Sequence, residues 1–260
     1  NKDGSGDYTT IGAAINSVAS GDTITVKEGT YTENISISKN LVIQTNGSDV
    51  VNIDGNKNGS TVTITGSSNV ILEGFNIFNG KTASSNDFGG GIYINGSGNI
   101  ALNNLSVYSN QSQGRGGGIY VERGASNAVT IDKTKIYSNE SVHEGGGVFF
   151  GNGNTIRITN TVIYSNSTAL DGGGIHNESS LVIINSTIVK NTVPDGRYGA
   201  GMSNATGLDS VLVFNSIFYR NSSPNDDNFS TDNGIHNSNG KLVLFNNYLD
   251  EQQSSLAISR

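Results

Sequence analysis

The chain has 260 residues, of which 34% are hydrophobic and 14% are charged, and it contains no cysteine and no tryptophan. Its formal net charge is −7 and its 15 basic residues are scattered, which argues against nucleic acid and anionic membranes as partners. No apolar run approaches the length of a membrane-spanning helix, so membrane insertion is not expected. The chain starts at Asn1 without a signal-peptide pattern, as a processed product would.

A short amphipathic helix is predicted near the start of the chain. Its apolar positions recur at helical spacing and are Ile11, Ala14, Ile15 and Val18. Thr9 or Thr10 can cap the first turn, and Gly21-Asp22 should end the helix. A helix here would close one end of a stack of strands and cover edge groups that recruit other strands.

Strands are predicted directly after this helix. Residues 23–26 alternate polar and apolar side chains, residues 28–31 are typical of a turn, and residues 34–37 form a second strand. Residues 1–38 are therefore expected to form a cap and the first coil of a larger stack.

One turn between the next strands resembles the first half of a calcium loop. Asp54, Asn56 and Asn58 offer oxygen atoms at alternate positions, and Gly59 stands at position six. Position twelve is Thr65 instead of the glutamate that closes such a loop. A solvated turn is the favoured interpretation, and calcium is the one cofactor that the sequence suggests.

A repeated glycine phrase organises the rest of the chain. Its copies start at Gly89, Gly116, Gly145, Gly172 and Gly199, so that successive starts lie 27, 29, 27 and 27 residues apart. A fixed period of this size indicates a solenoid, whose turns bury their apolar faces only against each other. The fifth copy has Ala200 in the middle, so the flanking glycines are the ones expected to need a left-handed backbone.

A second phrase, which ends on asparagine, runs in step with the first. The asparagines are Asn110, Asn139, Asn166, Asn191 and Asn221. Amides one coil apart can hydrogen-bond to each other, so this column is expected to form a buried structural ladder whose glycosylation sequons stay unmodified. A second ladder is expected six residues earlier, at Asn160, Asn185, Asn215 and Asn246, with Lys133 interrupting it.

Short alternating strands in every repeat predict an all-β fold, a parallel β-helix. The pairing of Gly-Gly-x-Ile phrases with phrases such as Phe218 to Asn221 resembles the repeats of chlamydial polymorphic membrane proteins. More broadly it resembles right-handed β-helix proteins of the pectin-lyase-like type, which include pectate lyases and surface adhesins. The stretch from Tyr8 to Glu33 is similar to the N-terminal cap of pectin methylesterases. These resemblances imply a right-handed β-helix with a short capping helix.

The unbroken period predicts a single domain. Regular coils are expected over residues 39–221, and an irregular coil over residues 222–260. Residues 254–259 alternate polar and apolar side chains, so they could add as a strand to a neighbouring molecule. This end is therefore the predicted assembly segment.

Charged residues that precede the glycine phrases are the strongest catalytic candidates. They are Asp87, Arg115, Glu144, Asp171 and Arg197. Glu144 and Asp171, on adjacent coils, would suit paired acid–base cleavage of a polysaccharide. No motif of the polygalacturonases, pectate lyases or pectin esterases occurs in the sequence, so a ladder of alternating charge is the favoured interpretation.

Two columns of aromatic side chains are expected on the outside of the coils. The first follows the glycine phrases and consists of Tyr93, Tyr120, Phe149 and His176. The second precedes the ladder asparagines and consists of Tyr108, Tyr137, Tyr164 and Tyr219. They should point outward because their aliphatic neighbours point inward. Such columns stabilise adjacent coils by ring packing, and they also offer a surface to glycans or to another rod.

The sequence therefore favours a non-catalytic extracellular or cell-surface β-helix that acts as an adhesin, a stalk or a filament subunit. Its expected partners are copies of itself, bound end to end, and extracellular glycans. Two alternatives stay open: a polysaccharide lyase or glycoside hydrolase with a divergent site, and a glycan-binding module.

Overall fold

The strands of this chain stack into three long parallel sheets and one short one. The computed structural model describes residues 4, 6–205, 210–222, 234–238 and 241–249. Sheet A consists of β1 (Thr23–Val26), β4 (Leu41–Thr45), β7 (Val70–Glu73), β10 (Asn99–Asn103), β14 (Ala128–Asp132), β18 (Thr155–Thr159), β22 (Ser180–Ile184), β25 (Val211–Phe214) and β28 (Leu242–Phe245). Sheet B consists of β2 (Gly29–Thr32), β5 (Val51–Asp54), β8 (Phe75–Phe78), β11 (Ser106–Tyr108), β15 (Lys135–Tyr137), β19 (Val162–Tyr164), β23 (Thr187–Val189), β26 (Ile217–Tyr219) and β29 (Tyr248–Leu249).

The third long sheet and the short one complete each coil. Sheet C consists of β3 (Ile35–Ile37), β6 (Val62–Ser67), β9 (Ile92–Ser97), β13 (Ile119–Val121), β17 (Val148–Phe150), β21 (Ile175–Asn177), β24 (Met202–Asn204) and β27 (Ile235–Asn237). Sheet D consists of β12 (Gln111–Ser112), β16 (Glu140–Ser141) and β20 (Ser167–Thr168). Each strand pairs with the equivalent strand one coil away, so the predicted all-β parallel β-helix is confirmed.

The core is a narrow column of aliphatic side chains that all three long sheets supply. In one coil these are Ile156 from β18, Ile163 from β19 and Ile175 from β21, each with no exposed surface. Their register partners one coil earlier, Val129 and Ile136, are buried in the same way. Because side chains alternate along a strand, the residues between them point outward and form the surfaces of the coil.

The first asparagine column lies inside the coil, where it ties three coils together. Asn139 Nδ2 donates to the carbonyl of Val107 (2.9 Å) and to Asn166 Oδ1 (3.0 Å). Asn139 Oδ1 accepts from both the backbone and the side-chain nitrogen of Asn110, at 3.1 and 3.0 Å. The same contacts continue through Asn191 to Asn221.

The second asparagine column is a corner and not an amide ladder. Its residues are exposed, have φ between 48° and 52°, and are Asn104, Lys133, Asn160, Asn185, Asn215 and Asn246. This left-handed backbone turns the chain from sheet A to sheet B, and asparagine adopts it more readily than most residues. Asn160 Nδ2 bonds to Asp132 Oδ1 (2.8 Å), so the prediction of a second ladder is wrong. Lys133 therefore stands at the same corner as the asparagines and does not interrupt a column.

The glycine phrase combines a left-handed residue with a close approach between coils. Its first glycine has positive φ in every complete copy, for example 67° at Gly116, as expected. The third glycine does not need positive φ. A Cβ on Gly118 would lie 2.6 Å from the carbonyl oxygen of Gly147 and 2.9 Å from Asn139 Nδ2. The prediction for the third glycine is therefore wrong, because its role is to leave room for the ladder asparagine.

The helix α1 (Ile11–Ser17) covers the start of the core, with Ile11, Ala14 and Ile15 buried. Thr10 caps it, as its hydroxyl accepts from the backbone of Ala13 at 3.2 Å. The helix ends at Ser17, before the predicted Gly21-Asp22, because Val18 is already extended. Residues 29–32 form β2 instead of the predicted turn, since they pair with β5. No helix among the described residues has both the length and the apolarity to span a membrane.

The described part of the irregular C-terminal region continues the three long sheets as β27, β28 and β29. Ile235 of β27 is buried, whereas the inward-facing side chains of β28 and β29, which are Leu242, Leu244 and Leu249, are only partly buried. The predicted assembly strand, residues 254–259, lies outside the described residues.

Candidate functional site

The outward row of sheet C carries the first aromatic column. Its rings stand one coil apart on β9, β13, β17 and β21. The centroid of Tyr120 lies 5.6 Å from that of Tyr93 and 5.1 Å from that of Phe149, and His176 follows at 5.0 Å. The rings of Phe149 and His176 are inclined by only 6°, so the row is a continuous stack over most of its length.

This row is covered, and the prediction that it is exposed is wrong for three of its four members. Tyr120 and Phe149 are 1% and 0% exposed, and His176 is 8% exposed, whereas Tyr93 is half-buried. Neighbouring side chains supply the cover. The ring of Phe88 stacks on Tyr120 at 4.6 Å. The sequence predicted the direction of these rings, but the loop side chains that fold over them do not follow the strand period.

The guanidinium groups of Arg115 and Arg123 cover Phe149, with their central carbons 5.6 and 5.1 Å from the ring centroid. Cations over a buried ring are attracted by its negative face. The middle of the aromatic row is therefore sealed by two arginines, and each arginine pairs with a carboxylate.

The charged column before the glycine phrases differs from the predicted one at its ends. Hydrogen bonds from Gly116 to the carbonyl of Glu144, and from Gly172 to that of Tyr198, fix the register. Arg115, Glu144 and Asp171 share the column, with Phe88 and Tyr198 at the two ends. Asp87 and Arg197 lie one residue earlier, and Arg197 is exposed. The assignment of Arg197 to this site is therefore wrong.

Glu144 and Asp171 are engaged with other groups. Arg115 Nε lies 2.8 Å from Glu144 Oε2, and the backbone of Tyr198 donates to Asp171 Oδ1 at 2.9 Å. Burial raises the pKa of Glu144, but a backbone hydrogen bond and the charges of Arg115 and His176 outweigh it and hold the pKa below its ordinary range. A general acid needs a raised pKa, so this carboxylate suits an ion pair better than acid catalysis.

Four residues that were not predicted from the sequence complete the cluster, and they are Glu122, Arg123, Gly151 and Glu178. Arg123 reaches across a whole coil to Glu178, with Nε 2.6 Å from Oε2 and Nη2 in contact with Oε1. Gly151 occupies the coil between them, where a Cβ would lie 2.6 Å from the Arg123 backbone nitrogen. The sequence contains one trace of this cluster, which is a fixed distance from the aromatic row. The residues two positions after Tyr120, Phe149 and His176 are Glu122, Gly151 and Glu178.

Glu178 also lies next to the imidazole of His176, whose Nε2 is 3.7 Å from Oε1. Burial raises the pKa of Glu178, but the hydrogen bonds from Arg123 and the nearby imidazole of His176 reverse the effect and lower the pKa to about 2. Glu122 accepts from the hydroxyls of Tyr93 (2.9 Å) and Tyr120 (3.2 Å), and burial with this charge raises the pKa of both phenols. The cluster thus pairs its carboxylates with donors inside the protein.

The second aromatic column forms a partly exposed stack on sheet B. Phe78, Tyr108, Tyr137 and Tyr164 follow each other at 5.2, 4.9 and 4.8 Å, with ring planes inclined by 8 to 11°. Val189 separates this stack from Tyr219, which contacts Tyr248 at 6.1 Å. Near-parallel rings at these spacings cover each other's faces, so the stack presents ring edges and hydroxyl groups to a partner. Burial, with the charge of Asp54, raises the pKa of Tyr108.

In the loop that resembles a calcium site, one oxygen of Asp54 is already bonded within the protein. Asp54 Oδ1 accepts from the backbone of Asn56 (2.9 Å) and from Asn79 Nδ2 (3.1 Å). Asn56 and Asn58 are exposed. Among the described residues no group of three or more His, Asp or Glu side chains is arranged to hold a metal ion.

Residues 82–251 match the family model of a right-handed β-helix region, which is more than half of the chain. The chain belongs to the right-handed β-helix family. This β-helix is similar in structure to the pectin methylesterase of Aspergillus niger, with 16% identity and a TM-score of 0.58 over 98% of this chain and 85% of that one. It is also similar to the pectate lyase Pel9A, with 15% identity and a TM-score of 0.59 over 92% and 71%. At these identities the likeness shows the fold alone.

A curated relative matches part of this β-helix. It is a cell surface glycoprotein of Methanothermus fervidus, which is 42% identical over 76 residues. The match covers 28% of this chain and 12% of that protein.

Proposed function

We propose that this β-helix is a non-catalytic extracellular scaffold of the adhesin or stalk kind, displayed at a cell surface. The observation that carries the proposal is that three carboxylates of the candidate site are each bonded to another group of the protein. Glu144 is held by Arg115, Glu178 by Arg123, and Asp171 by the backbone of Tyr198. The similarity to a cell surface glycoprotein supports the location.

The stack of Tyr108, Tyr137 and Tyr164 is the surface proposed to contact extracellular glycans or other copies of the chain. These side chains are half-buried and outward-facing, so the stack combines apolar ring edges with a row of hydroxyl groups. Such amphipathic rings bring contact area at low cost in side-chain entropy. Three of the four rings in the aromatic row of sheet C are buried, so of the two aromatic columns that of sheet B is the one proposed as a contact face.

The enzyme alternative is tested with the intact chain and a panel of pectin, alginate and related glycans. We expect no release of reducing ends or unsaturated sugars, because the carboxylates of the candidate site, within the part of the chain that the structure describes, are bonded to other groups of the protein. The double variant Glu144→Gln with Asp171→Asn serves as the control. Sugar release that this variant abolishes, with its circular dichroism unchanged, would overturn the scaffold proposal. Antibody labelling of unpermeabilised source cells tests the location, and labelling only after permeabilisation would contradict it.

A further inference from the structure

The fold divides the glycosylation sequons of this chain into two groups. Thirteen Asn-x-Ser/Thr triplets occur in the sequence. Six of their asparagines are 0 to 3% exposed: Asn110, Asn139, Asn166, Asn177, Asn204 and Asn221. A sugar on such an amide nitrogen would need space that the core does not have, and on Asn139 it would displace the bonds to Val107 and Asn166. These sequons cannot carry a glycan in the folded protein.

Six other sequon asparagines are exposed: Asn34, Asn46, Asn58, Asn95, Asn104 and Asn185. Two of them stand at the corner between sheets A and B. Asn104 and Asn185 have φ of 51° and 50°, and neither side chain has a hydrogen-bond partner among the described residues. By contrast, Asn34 Nδ2 already donates to the carbonyl of Ser60 (2.9 Å). The two corner amides are therefore free, accessible and held in the same backbone geometry.

We propose that Asn104 and Asn185 are acceptor sites for N-linked glycans. The inference rests on the proposed surface location, since the donor is a lipid-linked oligosaccharide phosphate handled by a transferase outside this chain. The amide nitrogen attacks the anomeric carbon, the carbon–nitrogen bond forms, the bond to the phosphate oxygen breaks, and the amide proton passes to a base of the transferase. The hydroxyl residues of the two sequons, Ser106 and Thr187, lie on the outward face of sheet B, next to the corner.

The two sites stand far enough apart to be occupied together. The coils of Lys133 and Asn160 separate them, so Asn104 and Asn185 lie three coils apart, which is roughly 15 Å at about 4.8 Å per coil. Both glycans would project from one corner of the rod. They would leave the core untouched.

The repeat supplies a matched control at an equivalent corner. Asn215 is exposed with φ 48°, but Ile217 follows where a sequon needs Ser or Thr. Ile217 is the register partner of Thr187 and is 41% exposed, so either residue can be replaced without disturbing the core. Thr187→Val removes the sequon and keeps Asn185. Ile217→Thr creates a sequon at Asn215 in the same geometry.

The experiment is glycopeptide mass spectrometry on the full-length chain, secreted from a host that performs N-glycosylation. The chain is first purified as a monomer or oligomer that unfolds cooperatively, so that only folded protein is analysed. We expect glycan at Asn104 and Asn185 and none at Asn139. Thr187→Val should lose the Asn185 glycan, and Ile217→Thr should gain one at Asn215. Bare Asn104 and Asn185 in the folded protein, or an unmodified Asn215 in the Ile217→Thr chain, would overturn the inference. Neither result touches the scaffold proposal, which the sugar-release assay decides separately.

Discussion

At the scale of single residues, Glu178 illustrates how this fold accommodates charge beside a buried ring. Its carboxylate receives two bonds from Arg123 and lies beside His176, which offsets the desolvation that burial imposes. The pKa of about 2, against an ordinary value near 4.5, means that the folded state binds this proton more weakly than the unfolded chain does. The resulting stabilisation is present above pH 4.5 and is lost as the pH falls towards 2.

We therefore expect Glu178→Gln to lower the free energy of unfolding at pH 7 by roughly 2 to 3 kcal/mol. The difference from the unaltered chain should shrink as the pH falls below 4.5 and become small near pH 2, where the Glu178 carboxyl of the folded chain is about half protonated. Urea unfolding at several pH values measures it. Glu140→Gln, at an exposed glutamate, is the control and should change little at any pH. A loss for Glu178→Gln that stays constant with pH would contradict the assigned ion pair.

The sequence could predict this cluster only in part. Strand alternation was enough to place Tyr120, Phe149 and His176 on the outward face of sheet C. It gave no information on Phe88 and Arg115, which precede the strands and fold back over the rings. A side chain that crosses coils, as that of Arg123 does, leaves no periodic trace except the small residue that makes room for it.

At the scale of elements, the Glu33 side chain explains how a helix of two turns stays docked on the end of the rod. Its two carboxylate oxygens accept from the backbone nitrogens of Ile11 (2.8 Å) and Gly12 (2.9 Å). These nitrogens have no partner inside the helix, and a negative charge at a helix N-terminus is favourable in addition.

We expect Glu33→Ala to destabilise the cap by about 1 to 2 kcal/mol and to release α1 before the rest of the chain unfolds. Hydrogen exchange of residues 11–17, together with thermal unfolding, measures both effects. The matched control is Glu28→Ala, since Glu28 is an exposed carboxylate of the same segment. Equal exchange of residues 11–17 in the two variants would show that Glu33 does not hold the helix.

The helix and the strands could be predicted wherever the alternation of buried and exposed side chains follows the period of the element. The strand at residues 23–26 and the helix start at Thr10 agree with the structure, because each depends on local pattern or capping. β2 was missed because Glu28-Gly29 is typical of a turn, whereas pairing with β5 decides its conformation. The sequence does not distinguish the corner asparagines from a ladder, because one-coil spacing is common to buried columns and exposed ones.

At the scale of the whole molecule, the two ends of the rod differ. The N-terminal end has α1 packed over β1 and β3, with the apolar side of the helix buried. At the other end of the described structure, β27, β28 and β29 are the last strands of their sheets. The outward face of sheet A also becomes apolar towards this end, through Val182, Ile184, Leu212, Phe214, Val243 and Phe245. Edge strands beside an apolar face are a surface that recruits further chains.

We propose on this basis that the chain associates through its C-terminal coil, where Phe245 and Tyr248 are 59% and 55% exposed. In this proposal the C-terminal coil of one copy contacts a different surface of the next copy. Such a contact does not close on itself, so it would build rods end to end instead of closed dimers. Light scattering should show a mass that rises with concentration above 27.2 kDa. The double variant Phe245→Ser with Tyr248→Ser should remain at the monomer mass. Val50→Ser, at a residue that is 61% exposed in the N-terminal part, should associate like the unaltered chain. An unaltered chain that stays monomeric at every concentration would refute association.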